Sequence, residues 1–255
     1  MAVTVQAPSR RDRVRAATTQ EIIQTARKLL VQEGPDAVSL RAIAREMGMT
    51  APALYRYFDS HEELLRHVVA DIFTDLATHV RTAIHEAADL SGADLPEAEV
   101  MVLKMIAGCR EFRAWTLTHV PEFSMIFGSP VPGLEVLHEM HGDPTADCGY
   151  QFGQVFLDVF SDLYRRRPFT IPADNEIQPS LRDQLVRYRE LVHVDLPLGA
   201  LQTFLRCWVL LYGTVSLEVF GHMRFALDDP SPMFELMLSD LAPMIGLEYP
   251  LAERG

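Results

Sequence analysis

The chain has 255 residues, 48% of them hydrophobic, enough for one sizeable core or two modest ones. Its formal net charge of −12 argues against a polyanionic partner, yet residues 1–67 carry ten Arg/Lys against eight acids while the remainder carries 13 against 27, so any contact with phosphates is expected from the N-terminal end. The longest apolar stretch, Cys207–Leu217, lies between Arg206 and Glu218 and falls short of the roughly 20 residues of a membrane span. Residues 1–14 read as a flexible basic arm, without the apolar run of a secretory signal. A first helix is predicted from about Arg15 to Glu33, with Ile22, Ala26, Leu29 and Leu30 on one face. Gly34-Pro35 stops it, because glycine tolerates the left-handed cap and proline cannot extend a helix. Ser39 caps a short second helix to Met47, and Gly48 ends it. A third runs from about Ala51 to Phe58. Ser60-His61-Glu62-Glu63 is a capping box opening a long fourth helix with the stripe Leu64, Val68, Ile72, Leu76 and Val80.

Residues 89–96 form the clearest linker. Helices are predicted at about 97–118, 121–127, 149–166, 179–192, 198–226 and 231–246, with an irregular Gly/Pro-rich loop over 128–148. Ser231-Pro232 suits the start of the last helix, and Pro243 should kink or end it. No alternating strand pattern is present, so the expected class is all-α: a tri-helical helix-turn-helix domain over 15–62 followed by a helical domain over 63–255.

The segment Ser39–Phe58, SLRAIAREMGMTAPALYRYF, carries the functional reading. Leu40, Ile43 and Met47 put apolar groups on one face of the second helix, and Leu54 and Phe58 do so on the third. Ala44 leaves room where two helices cross, and Gly48 takes the turn, where positive φ is cheap only for glycine. The exposed face of the third helix is then Ala51, Pro52, Ala53, Tyr55, Arg56 and Tyr57. It is short, flat and hydrogen-bonding, which suits a major groove about 12 Å wide. Taken singly, the tyrosines fit helix packing, Arg10 to Arg15 a solvated tail, and Arg41 and Arg45 ordinary surface charges. The joint order of caps, turn glycine and exposed residues favours double-stranded DNA.

ARKLLVQEGPDAVSLRAIAREMGM followed by TAPALYRYFDSHEELL resembles the TetR family of regulators closely over residues 18–70. One departure is Tyr57, where histidine is common. The resemblance implies that Ser39 and Thr50 donate to phosphates from helix N-termini, and that Arg41 reads a base edge. It implies apolar base contacts from Ala51, Pro52 and Ala53. Tyr55, Tyr57 and His61 would hold the backbone, and Arg56 either backbone or base. Arg10, Arg11, Arg13 and Arg15 would follow the minor groove or phosphates. It further implies a homodimer on a palindromic operator, repression as the default, and release by a small effector.

Past residue 90 the likeness is weaker: Arg110–Gly133, REFRAWTLTHVPEFSMIFGSPVPG, resembles a subgroup of TetR-like C-terminal domains. Large adaptable side chains at helical spacing in the body fit a plain core; a cavity shared among the helices is the sharper reading. Its expected lining is Trp115, His119, Phe156 and Trp208, suited to a small, mainly apolar molecule. Residues 207–217 are apolar nearly all round, so one monomer core does not account for every face. The last two helices are therefore expected to form a four-helix dimer interface through Phe234, Met237, Leu238, Leu241 and Ile245. His138-x-x-His141 with Asp143 has metal-ligand spacing, but Gly142 and Pro144 make it a loop without a third ligand fixed by spacing, so no metal or cofactor is expected. Arg165-Arg166-Arg167 fits exposed charges at a helix C-terminus better than a second nucleic-acid patch. Cys109, Cys148 and Cys207 are widely spaced and odd in number, as suits a reduced cytoplasm. The alternatives are a helical enzyme, for which no nucleophile elbow, phosphate loop, zinc or dinucleotide motif is found, and a protein-interaction module using the third helix.

Overall fold

The computed structural model describes residues 9–90, 95–128 and 144–249, and among them every regular element is helical. In chain order these are α1 (Arg10–Glu33), a 3-10 turn (Pro35–Ala37), α2 (Leu40–Glu46), α3 (Ala51–Leu54), α4 (His61–Leu90), α5 (Glu97–Thr118), α6 (Val120–Phe127), α7 (Pro144–Arg166), α8 (Pro179–Leu191), α9 (Leu198–Val219) and α10 (Ser231–Met244). His138, His141 and Asp143 lie outside the described residues, as do residues 1–8 of the expected arm and 91–94 of the linker.

Four boundaries differ from the periodicity. The expected arm is helical from Arg10, because Ser9 accepts from the Asp12 amide at 3.2 Å while the Asp12 carboxylate accepts from the Ser9 amide at 3.1 Å. That reciprocal box satisfies the amides a helix start leaves open. α3 stops at Leu54, where the backbone changes to tighter bonds from Arg56 to Ala53 and from Tyr57 to Leu54. α7 begins at Pro144, five residues before the expected start at 149, and proline is well suited to a first turn. α9 ends at Val219, where the His222 amide bonds the Leu217 carbonyl at 2.8 Å and turns the chain. The helix α9 has the length and composition of a membrane span, but nearly half of its most apolar window is buried in the protein.

The chain divides into two compact units, one of residues 1–74 with 119–149, the other of 75–118 with 150–255. This differs from an expected boundary at 62/63: α6 and the first part of α4 belong with α1–α3. In the first unit Ile22, Ala26 and Leu30 of α1 pack with Ile43, Leu54, Phe58, Leu64, Val68 and Ile72, all essentially inaccessible. Each large side chain buried in this way contributes about 1.5–3 kcal/mol. An ionic knot sits beside that core. Asp71 of α4 accepts from Gln20 (2.8 Å), Gln24 (3.1 Å) and Arg27 (2.8 Å) of α1, and Arg27 also faces the buried Glu122 of α6 at 3.7 Å. Phe127 of α6 meets Phe73 edge-on, with centroids 5.6 Å apart.

In the second unit α9 packs against α5, α8 and α10. Phe112, Phe152, Phe156 and Trp208 form a cluster with centroid separations of 5.7–6.3 Å. Arg113 of α5 donates two hydrogen bonds to Glu218 of α9 and one to Ser231 of α10, and its guanidinium lies 5.1 Å from the Phe234 ring centroid.

Phe234, Met237, Leu238, Leu241 and Ile245 are all buried within the single chain. They fill the core of the second unit and do not offer an outer dimer face. Helical periodicity identifies an apolar side but not what covers it. The outer side of these helices exposes Val209, Leu210, Leu217 and Phe220 on α9, with Met233 and Leu236 on α10.

Candidate nucleic-acid interface

The first unit contains a complete helix-turn-helix. Ser39 precedes α2, and its hydroxyl oxygen accepts from the Ala42 amide at 3.2 Å, leaving the hydroxyl proton available outward. At the other end of α2, Gly48 adopts φ +65° and the Met49 amide bonds the Ala44 carbonyl at 2.8 Å. This left-handed cap redirects the chain within two residues of α3. Thr50 caps α3 by its backbone alone and its side chain is exposed.

Of the residues expected to meet DNA, Arg41, Thr50, Pro52, Tyr55, Arg56 and His61 are exposed; Ser39, Ala51, Ala53 and Tyr57 are half-buried. Leu54 and Phe58, which alternate with them, are fully buried and bind the short helix to the core. The arrangement offers hydroxyl and guanidinium donors around a small apolar patch, Ala51-Pro52-Ala53. Donors of this kind hold phosphates or base edges.

Two side chains differ from their expected use. His61 bonds the Val38 carbonyl at 2.6 Å through Nε2, which must carry the proton in order to donate. That nitrogen ties the start of α4 to the residue before the Ser39 cap and is not available to a phosphate. Arg15 donates from Nη2 to the Arg56 carbonyl at 2.9 Å, and its guanidinium carbon lies 5.3 Å from the Tyr57 ring centroid. Sequence reading missed the knot of Arg27, Asp71 and Glu122. Its signal was a lone acid in the mostly apolar Val120–Phe127 run, since a buried carboxylate needs a cation.

The second unit holds an apolar cavity of about 60 Å³ between α5, α7, α9 and α10. Phe156 and Trp208 are in its lining. Trp115 and His119 do not. Trp115 lies six residues beyond Cys109, which does line the cavity, so it points about a third of a turn away around α5 and is buried in the core. His119 is the half-buried cap of α6, in the first unit. Burial pushes the Cys109 thiol up to about 12 and the Cys207 thiol up to about 11, so both stay neutral in the cavity wall.

A tri-helical unit with a short exposed third helix, followed by a helical body, defines the class of helix-turn-helix transcriptional regulators. The chain matches the family model described as bacterial regulatory proteins of the tetR family over residues 22–68, and that of the tetracyclin repressor-like C-terminal domain over residues 105–241. It is similar to the HTH-type transcriptional regulators Rv1816 of Mycobacterium tuberculosis and Mb1846 of Mycobacterium bovis, at 30% identity over 236 residues, 92% of this chain and 94% of each relative. The crystal structure of the regulatory protein SCO4313 superposes with a TM-score of 0.66 at 28% identity, covering 93% of this chain and all of that one. A protein from Rhodococcus sp. RHA1 shares the fold, with a TM-score of 0.57 at 16% identity over 97% of this chain. The chain belongs to the TetR family and is a DNA-binding transcriptional regulator.

Proposed function

We propose that the protein is a cytoplasmic, ligand-responsive repressor that binds a palindromic operator as a homodimer and is released by a small, uncharged, mainly apolar molecule. The observation that carries the DNA reading is the exposed run Pro52, Tyr55 and Arg56 on a helix locked from behind by Leu54 and Phe58. Arg41 is assigned to a base edge, Ala51, Pro52 and Ala53 to apolar base contacts, and Ser39, Thr50, Tyr55 and Tyr57 to phosphates; Arg56 serves either. Two such helices reading one palindrome need successive major-groove faces about 34–36 Å apart, or a multiple.

The dimer reading now rests on the outer faces of α9 and α10. Val209, Leu210 and Leu217 of α9, Phe220 at its C-cap, and Met233 and Leu236 of α10 are large apolar side chains left exposed. Large apolar side chains exposed on two helices that pack together support an interaction surface there. For the effector, the supporting feature is the cavity walled by Phe156, Phe160, Phe204 and Trp208, with no charged side chain in its lining. An ion moved there would lose its hydration without a counter-charge, which favours an uncharged ligand.

Selection of genomic fragments on the purified protein tests the reading. It should return a palindrome, and Arg41→Ala or Tyr55→Ala should weaken binding to it while leaving helicity unchanged. Arg41→Ala should also relax base preference at one position of each half-site by about 1–3 kcal/mol. Both variants binding like the wild type would overturn this docking.

A further inference from the structure

We propose that Arg15 is a positioning residue for DNA binding: it locks the C-terminal end of the recognition helix from α1 and does not itself contact phosphate. The first ground is the shortness of α3. With only Ala51–Leu54 in regular helix, its exit is held by the bonds from Arg56 to Ala53 (3.4 Å) and from Tyr57 to Leu54 (2.9 Å). The first of these is the longest bond at the exit, where Phe58 also bonds Leu54 at 3.2 Å, so Arg56 is the residue that the helix itself holds least. The Arg56 carbonyl lies just past the helix and its C-cap Tyr55, and Arg15 gives it a partner, a charge-assisted bond from Nη2 at 2.9 Å across 41 residues of sequence.

The second ground is the ring. The same guanidinium lies over Tyr57, 5.3 Å from its centroid. One planar cation therefore fixes both the backbone of Arg56 and the plane of Tyr57, the two residues that carry the exposed recognition surface into the turn. A lysine in its place would keep the charge without the flat, forked donor that serves both contacts. The third ground is the root of the side chain. Ser9 and Asp12 box the start of α1, so Arg15 projects from more than a turn inside a formed helix and not from its first residue, where the sequence reading puts it. Its Nη2 is committed to Arg56, although the side chain, like those of Arg10, Arg11 and Arg13 on the same helix, is exposed.

This goes beyond the DNA-binding assignments above, and its test separates two uses of one arginine. A residue that neutralises a phosphate makes binding less salt-dependent when removed, lowering the slope of log K against log salt by about one. A positioning residue lowers affinity and leaves the slope alone. Fluorescence anisotropy of the full-length protein with a labelled duplex carrying the selected site, across salt concentrations, should show Arg15→Gln weakened about tenfold with an unchanged slope. Arg15→Lys should recover at most part of the loss. In a double-mutant cycle, Tyr57→Phe should cost clearly less in the Arg15→Gln background than in the wild type. A slope lowered by one, additive losses, or full recovery with lysine would overturn the proposal. An arm without DNA keeps it testable if the operator reading itself fails. In the free protein, Arg15→Gln should shift the amide resonances of Arg56, Tyr57 and Phe58 while the fold stays intact; unmoved resonances there overturn the proposal independently.

Discussion

At the scale of single residues, two glycines of this chain illustrate different physics. Gly48 adopts φ +65°, with nothing within 4 Å of where a Cβ would stand. Gly48→Ala should therefore cost only the backbone penalty of a left-handed L-residue, about 1 kcal/mol. Gly199, near the start of α9, has ordinary dihedrals but would place a Cβ 2.1 Å from the Pro172 carbonyl oxygen. Gly199→Ala must push backbone from backbone and should cost about 3 kcal/mol or more. Urea denaturation of the two variants should rank them in that order. Equal losses would mean that the chain after α7 yields to make room. Of the two glycines, only Gly48 was legible in advance, since a turn between two short helices demands a positive φ. The close approach at Gly199 joins segments that no local pattern connects.

At the scale of elements, α10 is held to the body by a few charged contacts around an apolar inner face. Arg110 of α5 donates to Glu235 of α10 at 3.0 and 2.8 Å and to the Tyr249 hydroxyl at 3.0 Å. The Arg110 hydrogen bonds hold the Glu235 carboxyl below the usual carboxylate range against the opposing effect of partial burial. Asp229, just before α10, is lowered by its bonds from Ser231. A carboxylate whose folded pKa is depressed adds stability that is complete above its ordinary value, near 4.5 for glutamate, and is lost as pH falls through the folded value. The melting temperature, followed by circular dichroism, should therefore decline below about pH 4.5, and Glu235→Gln should flatten part of that decline. An identical acid profile in the variant would place the loss in other carboxylates. Arg113, with two bonds to Glu218 and its guanidinium over Phe234, ties α5 to α9 and α10.

At the scale of the whole molecule, the proposed regulation calls for a second copy and a ligand whose affinity differs between two shapes. Leu210→Asp combined with Leu236→Asp places charges on the outer stripe of α9 and α10 without touching the buried inner face. Sedimentation should show a folded monomer with sharply reduced operator affinity, whereas a persistent dimer would move the interface elsewhere. A ligand shifts such an equilibrium only by its differential affinity. A hundredfold preference per site is worth about 2.7 kcal/mol, roughly 5.5 for two sites, enough to empty an operator near saturation. α4 is continuous from the first unit into the second, and α6 meets α1 through Glu122 and Arg27.

Local order was enough to read the helix-turn-helix from the chain: a hydroxyl cap at Ser39, a turn glycine at Gly48, buried Leu54 and Phe58 at helical spacing, and a capping residue at Ser60. Each of these acts over a few residues, where the chain's own geometry decides the outcome. The all-helical class followed from the same periodicity. Which side of α10 faces inward, whether Trp115 or Cys109 meets the cavity, and whether Arg15 and His61 reach outward or turn to Arg56 and Val38 were decided only in three dimensions. A helical stripe reports that a face is apolar, and an arginine reports that a cation is present. What each one touches depends on elements tens of residues away, brought together by the packing of the core.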